Sequence, residues 1–142
     1  MANVPLPAVR GEEAYFYSEL AAGRIAYQLC GACAQAVWYP RDVCPTCGID
    51  QLEWQVSAGN GTVYSYTVLE RAGHPVRRED VPYAVALVDL DEGVRILGNL
   101  ALPDDGGTTP IGRRVTATIA LPDADADGGV ATILFTPTGE VA

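Results

Sequence analysis

Cys30-Gly31-Ala32-Cys33, followed after ten residues by Cys44-Pro45-Thr46-Cys47-Gly48, is the stretch that decides how this chain is read. A two-residue gap lets both sulfurs of a Cys-x-x-Cys knuckle point at one centre while nearby backbone amides bend towards them. Two knuckles supply four soft ligands, the tetrahedral set that Zn²⁺ favours. Gly31 and Gly48 are expected to relax the tight backbone of the two knuckles. The spacer, with Trp38, Tyr39 and Pro40, is long enough for a short hairpin that brings the second knuckle back to the first. No fifth Cys and no nearby His is present, so Cys30, Cys33, Cys44 and Cys47 read as a closed structural site, without an open position for water or substrate. Two disulfides, a thioredoxin-type redox pair, and iron held by the same thiolates are the competing readings. A redox pair wants a βαβ setting that the pattern lacks, and iron would make the chain a rubredoxin-like electron carrier.

Around this cluster the chain is acidic. Its 142 residues carry 18 Asp and Glu against 9 basic residues, all of them Arg, for a formal charge of -9. Four thiolates with one Zn²⁺ would add about -2 more. That balance is poorly suited to a phosphate backbone, and nucleic acid is not an expected partner. No apolar run approaches the ~20 residues that span a bilayer, and no membrane partner is expected. Residues 1–10 lack the charged and apolar regions of a secretory signal. The expectation is a cytoplasmic protein, and in that compartment four Cys suggest metal more than disulfides.

Outside the cluster the grammar changes twice. Val4-Pro5-Leu6-Pro7 reads as an extended apolar arm. A short helix is expected over 12–22, with Glu12 and Glu13 in its first turn and Gly23 placed to end it. Phe16 and Leu20 share one face, which Tyr15 and Tyr17 widen, so the helix must lie against something. After Gly59-Asn60-Gly61, five strands are expected over 62–69, 83–90, 94–100, 114–121 and 130–135. The almost continuous apolar run 83–90 reads as a strand buried on both faces. Asp91-Glu92-Gly93 is a hairpin turn. Five short strands without a second helical period point to a small barrel or sandwich. The expected divisions are an arm and helix (1–24), a four-Cys ribbon (25–57) and a β domain (58–142).

These motifs, taken in order, carry a resemblance. They are the aromatic helix around Tyr15-Phe16-Tyr17, Leu29-Cys30, Tyr39-Pro40-Arg41, Val43-Cys44-Pro45, Glu53-Trp54, the run Gly61 to Thr67, Pro82 to Ala86, Leu90 to Gly93, and Gly112. The chain resembles the zinc-ribbon plus OB-fold family of small acyl-CoA-associated subunits that partner thiolase-superfamily enzymes, the domain of unknown function thirty-five. The resemblance runs from about residue 12 to the end. It implies a mainly β protein: an N-terminal helix, a rubredoxin-like zinc ribbon and a C-terminal five-stranded OB-fold barrel. It implies structural Zn²⁺ and a thiolase-like catalytic partner in a hetero-oligomer. The partner would be a thiolase, a retro-aldolase of steroid side-chain breakdown or an acyltransferase, with acyl-CoA enclosed between the two proteins.

The residues agree with a non-catalytic role. A thiolase needs a Cys nucleophile and a His base, yet every Cys is committed to the ribbon and the lone His74 sits in a Gly-His-Pro loop. Catalytic residues are therefore expected on another chain. Arg71, Arg77 and Arg78 crowd the loop between the first two barrel strands; they read either as a solvated mixed-charge loop or as a contact to CoA phosphates. Arg113 and Arg114 are a second such candidate. Phe16, Leu20 and Tyr83 are the expected partner-docking residues, against the reading that they pack on their own ribbon or barrel. Tyr64, Tyr66 and Tyr83 would be the stacking platform of the alternative, a nucleic-acid-binding ribbon and barrel. Asp123, Asp125, Asp127 and Gly128 resemble half an EF-hand loop, but Leu134 stands where a bidentate Glu is required, so the segment reads as an acidic hairpin turn.

Overall fold

The computed structural model of the chain describes residues 11–73, 75–102, 109–122 and 130–141. The apolar arm at 4–7, His74 and the acidic turn at 123–129 lie outside the described residues.

Helix α1 (Glu12–Ala21) carries Glu12 and Glu13 in its first turn, where negative charge suits the helix dipole. It ends with a paired closure: the Gly23 amide donates to Leu20 O and the Arg24 amide to Glu19 O, both at 2.9 Å. Arg24 then turns back onto the Glu19 carboxylate at 2.6 Å. Phe16 and Leu20 are buried, and the face they form is pressed into the core of the molecule. Burying such a side chain contributes about 1.5–3 kcal/mol, enough to hold a helix this short.

Three short strands make the ribbon: β1 (Ala26–Cys30), β2 (Ala36–Val37) and β3 (Leu52–Val56), ordered β2-β1-β3 with antiparallel pairing. The hairpin lies elsewhere than the spacer reading places it. It straddles the first knuckle, with Leu29 opposite Ala36 and Gln28 opposite Val37. The ring of Trp38 meets that of Phe16 edge-on at 4.7 Å, and Tyr15 lies 4.5 Å from Trp54. Tyr15 and Phe16 of the helix thus meet rings of the ribbon.

The remaining strands close a five-stranded barrel, β4-β5-β6-β8-β7, from β4 (Asn60–Leu69), β5 (Tyr83–Leu90), β6 (Arg95–Leu100), β7 (Arg113–Ala120) and β8 (Thr132–Val141). All pairs are antiparallel except β6 with β8, whose register is Asn99 to Leu134 and Leu100 to Phe135. Val63, Val88, Ile96, Val115 and Phe135 fill the interior. Two expectations need correction. β5 is not buried on both faces: Ala84, Ala86, Val88 and Leu90 point inward while Leu87 is exposed, opposite the still more exposed Leu97. The apolar run therefore gives the barrel an apolar outer stripe. β8 also continues past residue 135 through Pro137. Beyond that point β7 alone pairs with it among the described residues, and an edge tolerates a residue without an N–H.

Ribbon and barrel meet at one junction. Glu92, in the β5–β6 turn, accepts hydrogen bonds from the Ser57 hydroxyl at 2.9 Å and the Ala58 amide at 2.8 Å. Phe16, Leu20, Ile25 and Tyr27 belong to the same buried cluster as the barrel core.

Candidate functional site

The four sulfurs converge. Cys30 Sγ lies 3.7 Å from Cys47 Sγ, Cys33 Sγ lies 3.7 Å from Cys44 Sγ, and all four fall within 4.8 Å of one another. Sulfurs about 2.3 Å from a central Zn²⁺ would stand ~3.8 Å apart along a tetrahedron edge, so this donor set fits the ion. A disulfide needs ~2.05 Å, and all four cysteines are free thiols. The knuckles are near copies. The Cys30 and Cys44 carbonyls each accept from the residue four ahead, Ala34 and Gly48, at 2.8 Å; the Cys30 and Cys44 amides donate to Gln35 O and Ile49 O at 2.9 Å.

This duplication corrects the reading of the glycines. The left-handed position is held by Gly48 (φ 76°) in the second knuckle, but in the first by Ala34 (φ 62°) and not by Gly31. Gly31 instead donates its amide to Gln51 O at 2.7 Å, joining the first knuckle to the approach of β3.

Backbone amides tune the sulfurs. The amide of Cys33, with that of Ala32, holds the Cys30 thiol below its ordinary range against the opposing effect of burial. The amide of Cys47, with that of Thr46, brings Cys44 down to about 6. The Gln35 amide lowers Cys33 and the Ile49 amide lowers Cys47. Desolvation and neighbouring sulfurs outweigh them, pushing Cys33 up to about 12 and Cys47 upward as well. Four thiolates this close repel one another, and a cation is what allows all four to ionise. The chemistry available is tight, closed chelation.

Gln28, which the sequence reading passed over, ties β1 to the approach of the second knuckle. It is buried on β1, and its amide donates to Arg41 O at 2.9 Å while accepting from the Arg41 N–H at 2.8 Å. No spacing rule flags a lone Gln in a strand.

The other expected residues scatter. Arg77 stacks over the Tyr83 ring at 3.9 Å and pairs with Asp80 at 2.8 Å, so its charge is largely met within the chain; Arg71 and Arg78 are exposed. Arg114 forms a two-pronged pair with Asp91 at 2.6 and 2.7 Å, which holds the Asp91 carboxyl below its usual range. These two arginine groups sit at opposite ends of β5, separated by roughly 25 Å of strand, and do not form one phosphate site. Of the three tyrosines expected as a platform, Tyr64 lies under Arg95 at 3.4 Å and Tyr83 under Arg77. Phe16 and Leu20 are only 5% and 3% exposed, leaving a partner little of either.

They do line a groove of about 420 Å³ between α1, the Trp38-Tyr39 segment, β5, β6 and the start of β8. Tyr17, Trp38, Tyr39 and Leu97 line it, with Arg77 and Asn99 as polar groups in its wall. Desolvation, then a hydrogen bond to Glu13, pushes the Tyr39 phenol above its ordinary pKa, so it stays a neutral hydroxyl. Among the described residues no helix is long and apolar enough to cross a membrane.

Comparison with known proteins matches this arrangement along the chain. Two family profiles fit in tandem: the ChsH2 rubredoxin-like zinc ribbon domain over residues 18–53 and the ChsH2 C-terminal OB-fold domain over residues 54–120. A DUF35 domain-containing scaffold protein of Methanocaldococcus jannaschii is 32% identical over 106 residues, 72% of this chain and 72% of its own length. The "Probable enoyl-CoA hydratase alpha subunit" of Thermomonospora curvata is 32% identical over 133 residues, 94% of this chain. The chain spans only 40% of that relative's length. Among solved structures, the Ltp2-ChsH2(DUF35) aldolase contains a chain matched at a TM-score of 0.76 and 32% identity, covering 92% of this chain and 98% of that one. With its four-cysteine ribbon leading into a closed five-stranded barrel, this chain belongs to the ChsH2-type DUF35 family of zinc-ribbon and OB-fold proteins.

Proposed function

We propose that the chain is a non-catalytic accessory subunit of a thiolase-like acyl-CoA enzyme, a thiolase, retro-aldolase or acyltransferase. In this reading it stabilises the catalytic partner and helps to enclose the acyl-CoA chain at their shared surface. The observation that carries the proposal is the likeness, over nearly the whole chain, to a component of the Ltp2-ChsH2(DUF35) aldolase. The side chains support it. All four thiols are drawn into one cluster, which leaves no cysteine to serve as an acyl-accepting nucleophile. The groove beside α1 and the exposed Leu87 and Leu97 offer apolar surface for a partner to cover. Tyr83 lies beside that surface, and Arg71 and Arg78 are the exposed guanidiniums available to CoA phosphates. Reduced thiols around zinc suit a reducing compartment, and we place the protein in the cytoplasm.

The test is reconstitution. The zinc-loaded chain is purified from its host with the thiolase-like polypeptide that accompanies it, and each component is assayed with acyl-CoA separately and together. The expected result is a stable hetero-oligomer in which the pair turns over the thioester substrate and this chain alone does not. Thioester turnover by this chain alone at a rate matching the pair would overturn the proposal.

A further inference from the structure

The two knuckles are alike internally but unlike in how they are held. The first grows directly out of β1, the central strand of the ribbon sheet. The second is entered through Arg41, Asp42 and Val43, which belong to no strand and are all exposed. What fastens that entry is Gln28. It lies two residues before Cys30 and therefore on the same face of β1, and its side chain is 2% exposed. Its amide bonds both the N–H and the C=O of Arg41, as a neighbouring strand's peptide would. At the far end, the Gly31 amide holds Gln51 O. The segment 41–51 carrying Cys44 and Cys47 is thus tied to the first knuckle at both ends.

We propose that Gln28 is a positioning residue for the metal site: by clamping Arg41 it holds the second knuckle in register with the first and sets how slowly the four thiolates release their ion. Removing the clamp leaves the Arg41 N–H and C=O to water in place of a fixed protein partner and frees the entry to the second knuckle, while the first keeps its strand. Groups that support metal ligands from behind commonly alter metal affinity 10- to 100-fold. The inference concerns the chain by itself and does not depend on any catalytic partner.

The test uses the full zinc-loaded chain with Gln28→Met, which keeps the volume and removes both hydrogen bonds, and Gln28→Glu, which keeps the length and an acceptor oxygen. Zinc transfer to a colorimetric chelator is followed together with amide hydrogen exchange. The expected result is transfer faster by about tenfold or more in Gln28→Met, with the Thr46 and Cys47 amides losing protection well before those of Ala32 and Cys33. Transfer at the wild-type rate, or equal loss of protection in both knuckles, overturns the proposal. Should Gln28→Met fail to fold, Gln28→Glu decides it on the same two readouts, and unchanged transfer there is equally fatal.

Discussion

At the scale of single residues, the two knuckles form a natural experiment. They share hydrogen bonds and a left-handed turn, but one uses Gly48 at that turn and the other Ala34. A side chain in this conformation costs about 1–2 kcal/mol, partly offset by the extra freedom glycine brings to the unfolded chain. Ala34→Gly should therefore stabilise the zinc-loaded protein by about 0.5–1 kcal/mol, and Gly48→Ala should destabilise it by a similar amount. A Cβ at Gly48 meets no atom within 4 Å, so strain alone is tested. Denaturation midpoints moving in opposite directions support the assignment; a loss of stability in Ala34→Gly contradicts it. The metal ligands were legible in the sequence because Cys-x-x-Cys spacing constrains sulfur geometry by itself. Ala34 was not, since alanine carries no turn signal and the eye goes to Gly31. Gln28 was hidden for a related reason: its role depends on a peptide 13 residues away.

Among the elements, β6 and β8 make a demanding contact. They pair over only two residue positions, and Gly98 lies against the Phe135 ring there. A Cβ at Gly98 would stand 2.6 Å from Phe135 Cε2 and 3.2 Å from Ile133 O. Phe135 is fully buried and has no room to move aside. Gly98→Ala should destabilise the barrel by about 1–3 kcal/mol through overpacking. Gly73→Ala, where a Cβ meets only open space, is the control and should be nearly neutral in the same thermal melts. Equal melting temperatures for the two variants would refute this picture of barrel closure. The barrel strands could be read from the sequence because dense Val, Tyr and Thr, turn residues and, over 114–121, alternation mark strands; the inward face of β5 could not, since its outward positions are apolar too. The ribbon strands could not: β1 is buried almost throughout and β2 is two residues long, so neither has a period to detect. The ends of β8 were obscured by Pro137 and Gly139, which mimic a turn but lie in a strand.

For the molecule as a whole, the ribbon, the helix and the barrel depend on one another. Phe16 and Leu20 of α1 and Tyr27 of the ribbon share a buried cluster with the barrel, and Glu92 fastens the junction at Ser57 and Ala58. In the proposed reading the metal braces a ribbon that lies beside the surface a partner would cover, which would give a structural ion a functional consequence without any chemistry at the ion. That rests on a closed four-sulfur centre. Zinc K-edge X-ray absorption on the purified chain measures it most directly. The account predicts one zinc per chain with four sulfur neighbours at about 2.3 Å and no lighter ligand; an oxygen or nitrogen in the first coordination sphere would open the site and contradict it.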